Sequence, residues 1–220
     1  MIVGGSLSKI PTFAPAGLVF VLLLASLGCE GKGHAKVQGV LIPQADAYYP
    51  APTGGVELII PDSVQEQPAL PSENHVKLVI GRKVPWRFVS KLLSRLESEK
   101  KQVTILVGNR HRVFALKMSD ELKTRAPIEV TATEDGKACV QLPRAKKAKC
   151  TQSPDGRYVP RSGVRQVVRE AMKAMKIHDT QVMASPALHW ADVVRAVDGA
   201  RTCCGKGEMR VSLHREKRQK

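Results

Sequence analysis

Five cysteines and six histidines are the residues of this 220-residue chain with the most chemistry to offer, and their spacing limits what that chemistry can be. Cys139 and Cys150 bracket a Pro- and Lys-rich stretch, so a hairpin could bring the two thiols together as a disulfide. Closing such a loop would contribute roughly 2–3 kcal/mol by restricting the unfolded chain. Cys203 and Cys204 are adjacent, which is not the C-x-x-C clip of a metal site, and no histidines lie at finger spacing. Neither a metal nor a cofactor is expected. His189 beside Trp190 and Asp192 could form a polar pair, but no nucleophile stands at readable spacing from it. The sequence holds no G-x-S-x-G, H-E-x-x-H or G-x-x-x-x-G-K-[ST] pattern, and Gly205-Lys206-Gly207 reads as a turn. The reading is a protein that is not an enzyme.

Positive charge is the other chemical resource. Lys and Arg number 35 against 20 Asp and Glu, a formal charge of +15 that favours anionic partners. Between Lys137 and Lys176 stand eleven basic residues and only two acids, Asp155 and Glu170. Arg144, Lys146, Lys147, Lys149, Arg161, Arg165, Arg169 and Lys173 are the candidate basic surface, and residues 215–220 form a basic tail. Such a band could serve solubility alone. It could equally meet peptidoglycan carboxylates, envelope phosphates or lipid head groups, at about 1 kcal/mol per basic residue near an anionic surface. Nucleic acid is not expected as a partner, because no recognition module accompanies the charge and the amino terminus reads as an export signal.

That amino terminus is the firmest functional signal. Lys9 precedes an unbroken apolar run from Gly17 to Leu27, which ends at Ser26-Leu27-Gly28-Cys29. Counted generously from Ala14 to Gly28 the segment has fifteen residues, short of the roughly 20 that span a bilayer as a helix. Residues 1–28 therefore read as a signal peptide or short membrane anchor. Cys29, directly after it, resembles the acylated cysteine of a bacterial lipobox and is the candidate lipidation site. Lipoprotein, secreted protein and uncleaved anchor all place the remaining chain outside the cytoplasm.

The elements that must position these residues follow from pattern. Residues 29–55, rich in Gly, Pro and Ala, read as a flexible tether. Beyond them, short β-branched runs alternate with amphipathic helical stretches near 85–99, 163–175 and 188–200. In the second of these Val164, Val167, Val168, Ala171 and Met175 share a face. Asp135-Gly136 predicts a tight turn between two strands. The segment from Val79 also repeats from Met183 at an offset of 104, matching Trp86 to Trp190, Val89 to Val193, and Ile105 and Val107 to Met209 and Val211. Each Trp opens a Val-patterned helix, the position of a core anchor rather than a ligand platform. The expected fold is α+β, a small mixed sheet with amphipathic helices packed on one face, partly duplicated.

The segments IEVTATEDGKACVQL, GVRQVVREAMKAM, TQVMASPALHWADVVRAVDGAR and EMRVSL together resemble the periplasmic domain of the ExbD/TolR family of biopolymer-transport proteins. In that family a strand pair joined by a D-G turn leads to a helix, a strand, a helix opening at an aromatic, and a last strand. Asp135-Gly136, the loop 184–189, Trp190 and the Val193-Val194 pair occupy those places. The resemblance implies a family-like domain over 119–214, a degenerate half over 56–118, and location at the periplasmic face of a bacterial envelope. It implies a non-catalytic role in proton-gradient-coupled biopolymer transport, with envelope proteins or a second copy in a homodimer as partners. The leader carries no acid, so this chain resembles an accessory or diverged module and not a proton-conducting subunit. The alternative is a stand-alone envelope lipoprotein that binds peptidoglycan or anionic lipid.

Overall fold

The computed structural model describes residues 34–46, 48–119, 121–201 and 210–213. The leader, Cys29, Cys203, Cys204 and the basic tail lie outside the described residues. Within them the chain is α+β, and no helix is long and apolar enough to cross a membrane.

The first lobe is a five-stranded sheet. Its strands are β3 (Tyr48–Tyr49), β4 (Val56–Ile60), β5 (His75–Ile80), β6 (Gln102–Asn109) and β7 (Arg112–Leu116), in spatial order β3-β7-β6-β5-β4. Strands β4, β5 and β6 run parallel, whereas β7 and β3 are antiparallel. Helix α1 (Trp86–Ser98) is the crossover between β5 and β6, as two adjacent parallel strands require. β5 opens with half-buried His75 and Lys77 alternating with buried Val76, and ends in the buried run Leu78-Val79-Ile80, so its last residues are covered on both faces. Val76, Leu78 and Ile80 share one core with Leu92, Leu93 and Leu96 of α1, while Val79 belongs to a second core on the other face.

That second core corrects the tether expected over residues 29–55. β1 (Lys36–Val37) and β2 (Val40–Leu41) form a hairpin, and Ala35 and Ile42 are buried against Val79 and Leu106. Gln44 then bridges to Gly108, whose N–H donates to the Pro43 carbonyl and whose carbonyl accepts the Ala45 N–H, and β3 joins the sheet beside β7. A segment with two-residue strands has no readable periodicity. Its apolar residues nevertheless fill the back of the first sheet.

The second lobe contains β8 (Ile128–Ala132), β9 (Lys137–Gln141), β10 (Lys149–Gln152), β11 (Asp179–Ala184) and β12 (Arg210–Leu213), in order β10-β9-β8-β11-β12. Helices α2 (Arg161–Met175) and α3 (Trp190–Arg201) pack on it. Here the strands alternate: Ile128, Val130 and Ala132 are buried, and Glu129 and Thr131 between them are half-buried. Gly136 makes the β8–β9 turn at φ +69°, where a side chain would be strained. Val164, Val167, Val168, Ala171 and Met172 of α2 are buried, but Met175 is 39% exposed. The helix closes at Lys176 in the left-handed conformation, so the apolar stripe finishes a turn earlier than the pattern predicts.

The duplication extends to the strand register. Ile60 pairs with Ile80 in the first sheet as Ala132 pairs with Ala184 in the second. At the other edge Gln102 lies opposite His75, and Arg210 lies opposite Asp179. The last strands therefore correspond at an offset of 108, and Val211 is the counterpart of Val103, not of Val107. The extra residues fall between α3 and β12. The first lobe has the same three parallel strands. What it lacks is a counterpart of α2, and residues 61–74 join β4 to β5 without a helix.

Candidate functional site

Three arrangements bring the chemically distinctive side chains together. The first is the contact between the lobes. The loops that precede α1 and α3 pair as a short antiparallel ribbon, with Pro85 opposite His189. The Trp86 N–H donates to the Leu188 carbonyl at 2.7 Å, and the Trp190 N–H donates to the Val84 carbonyl at 2.8 Å. Arg87 and Ala191 donate in the same reciprocal way to Pro186 and Arg82. Val84 and Leu188 are buried, and the two indoles stack with centroids 6.0 Å apart and planes 11° apart. Trp86 and Trp190 are thus core residues, and each anchors its helix on the other lobe as well as on its own sheet.

The second arrangement is an ion cluster. Asp198 of α3 is fully buried, and its carboxylate takes Arg161 Nε at 2.7 Å and the Asp46 backbone N–H at 2.8 Å. Arg161 also reaches the Asp46 carboxylate at 2.6 Å and donates to the Gln44 carbonyl at 3.0 Å, while Arg165 lies 3.6 Å from Asp46. The amino-terminal strap is therefore tied to α2 and α3 of the second lobe as well as to β6 and β7 of the first. The basic-surface expectation is corrected for Arg161, which is turned inward to the buried Asp198, while Arg165 stays 39% exposed beside Asp46. A fully buried carboxylate needs a charged partner, and the Arg161 guanidinium supplies it.

The third is the tip of the β9–β10 hairpin. Cys139 and Cys150 face each other across the two strands and are joined by a disulfide, with Cα atoms 3.9 Å apart. Arg144, Lys146 and Lys147 stand exposed on the loop it closes, and Arg144 adopts φ +66°. Lys149 points to the helix side, where it pairs with Glu170 of α2, and the ammonium holds that carboxyl below the usual carboxylate range. Helix and strand approach closely there: a Cβ on Gly163 would sit 2.1 Å from Thr151 Oγ1. Arg169 and Lys173 are exposed on α2 beside Glu170. On the other side Arg144 lines an open hollow of about 290 Å³ with Arg125, Glu129 and Gln141. The basic set is thus spread over a loop tip, a helix face and a hollow.

His189 and Asp192 do not form a working pair. His189 is exposed on the ribbon, whereas Asp192 Oδ1 accepts the Val159 N–H at 3.1 Å. Among the described residues no group of His, Cys, Asp and Glu could hold a metal. Asp46 and Asp198 escaped the sequence reading. One sat in the expected tether; the other, four residues after Val194 on a buried stripe, was detectable as an acid on an apolar face. The chain matches no protein-family model, no curated protein and no solved structure.

Proposed function

We propose that this is a membrane-anchored, non-catalytic protein of the ExbD/TolR kind, at the periplasmic face of a bacterial envelope, acting as an accessory to proton-gradient-coupled biopolymer transport. The observation that carries this reading is the order of elements in the second lobe. A strand pair turning at Asp135-Gly136 leads, through the added edge strand β10, to α2, then β11, then α3 opening at Trp190, then β12, all on one sheet. The apolar leader and Cys29 supply the address. Affinity purification of the full chain from envelope membranes tests it. Recovery of a proton-channel partner is the expected result, and recovery in the cytosolic fraction would exclude the reading.

The second reading, an envelope protein that binds peptidoglycan or anionic head groups directly, is favoured by the tip. Arg144, Lys146 and Lys147 have no acidic partner among the described residues. Sedimentation with purified peptidoglycan or with vesicles containing anionic lipid separates the two readings. Binding that disappears on charge removal at the tip, with no channel partner recovered, would favour the second.

A further inference from the structure

We infer that the ribbon between the lobes is a self-pairing surface whose second copy this chain supplies itself, so the protein is a covalent pseudo-dimer and is monomeric through that surface. The inference does not depend on the envelope reading.

The hydrogen bonds carry it. Exchanging each residue for its partner 104 positions away converts the bond from Trp86 to Leu188 into the bond from Trp190 to Val84. It likewise converts the bond from Arg87 to Pro186 into the one from Ala191 to Arg82. The Pro85–His189 bridge maps onto itself. This is the rule of an isologous contact, in which the same patch meets itself about a two-fold axis.

The surface that obeys it is short and specific. Gly81-Arg-Lys-Val-Pro-Trp86 and Ser185-Pro-Ala-Leu-His-Trp190 share a small residue, an inward aliphatic residue and a helix-opening Trp. The kind of partner it fits is therefore another lobe of this pattern. Within this chain that partner is already in place. The connection after β7 is pinned to the second lobe, since Ser119 donates to the Val211 carbonyl at 2.8 Å and Thr124 donates to Asp179 at 2.5 Å. The strap ties the lobes a second time through Asp46 and Arg161. A lobe so tethered meets its own partner at an effective concentration no separate chain can match.

Two measurements on the full chain test this. In the double variant Pro85→Cys with His189→Cys, oxidation is expected to link the two positions within one chain. The linked peptide would then appear in species of monomer mass, with P85C and H189C alone as controls for the chain's other thiols. A disulfide-linked dimer specific to the double variant, or no 85–189 link at all, would overturn the inference. The second needs no variant. Amide protons of Trp86 and Trp190 should keep the same hydrogen-exchange protection over a hundredfold dilution. A contact between chains would instead lose about tenfold, as the square root of concentration.

Discussion

The two lobes share three parallel strands, a crossover helix and a Trp-opened turn, yet they treat the far face of the sheet in opposite ways. In the first lobe Val79 is fully buried beneath the strap hairpin. In the second its counterpart Met183 is half-buried, among Glu129, Thr131, Cys139 and Gln141 on a face that no element covers among the described residues. Strand composition follows at the covered end: β5 finishes in the apolar run Leu78-Val79-Ile80, whereas β8 and β9 alternate throughout. One unit has been adapted by covering its back face in one copy and leaving it polar in the other. The second lobe adds instead a helix, a disulfide and the basic tip.

The comparison can be broken most forcefully at the join. Replacing Arg161 by Leu leaves the Asp198 carboxylate buried without its main counter-charge, and the loss expected is about 3 kcal/mol in chemical denaturation. Little change would mean that the strap does not bind the lobes. Next comes the disulfide, which has no equivalent in the first lobe. Exchanging Cys139 and Cys150 for Ser together should lower stability by about 2–3 kcal/mol, the value for closing a loop of this size.

The opposed back faces give a paired test. Val79→Ala should cost about 2 kcal/mol through lost burial and the cavity left behind, whereas Met183→Ala should cost well under half of that. Equal losses would contradict the assignment of one covered and one open face. The smallest effect expected is at the tip. Glu170 has its carboxyl pKa lowered from 4.5 by the Lys149 ammonium, so the contribution of that pair is complete above that ordinary value and fades as pH falls through the lower folded value. The protection of β10 amides, taken relative to the intrinsic exchange rate at each pH, should decrease below that pH in the wild type and depend less on pH in Glu170→Gln.

The legible parts of the fold were those with a period. The runs at Val56, Val76 and Ile128, and the stripe from Val164 to Ala171, each announce an element because burial on one side repeats every two or every three to four residues. The strand Lys-Cys-Thr-Gln of β10 was legible only through its cysteine, as the return of a hairpin: an edge strand held by a disulfide and by Gly163 needs no apolar alternation. Nor was the strap, whose strands are two residues long. The site was half legible. The Trp pair and the Cys pair stood out as residue types, but their meeting across a pseudo-two-fold ribbon depends on how two distant loops pack. Arg161 looked like one more surface base because its partners, Asp46 and Asp198, are 115 and 37 positions away.

The account turns on the lobes forming one body through the Trp86–Trp190 contact and the strap. Equilibrium unfolding of the full chain, followed at once by tryptophan fluorescence and by far-ultraviolet circular dichroism, tests that most directly. The two tryptophans are the only ones in the chain and sit at the join, so their signal reports separation of the lobes while dichroism reports loss of strands and helices. Coincident transitions with one midpoint are the result expected. Fluorescence changing at a distinctly lower denaturant concentration, with the secondary structure intact, would show lobes that part before they unfold and would contradict the account.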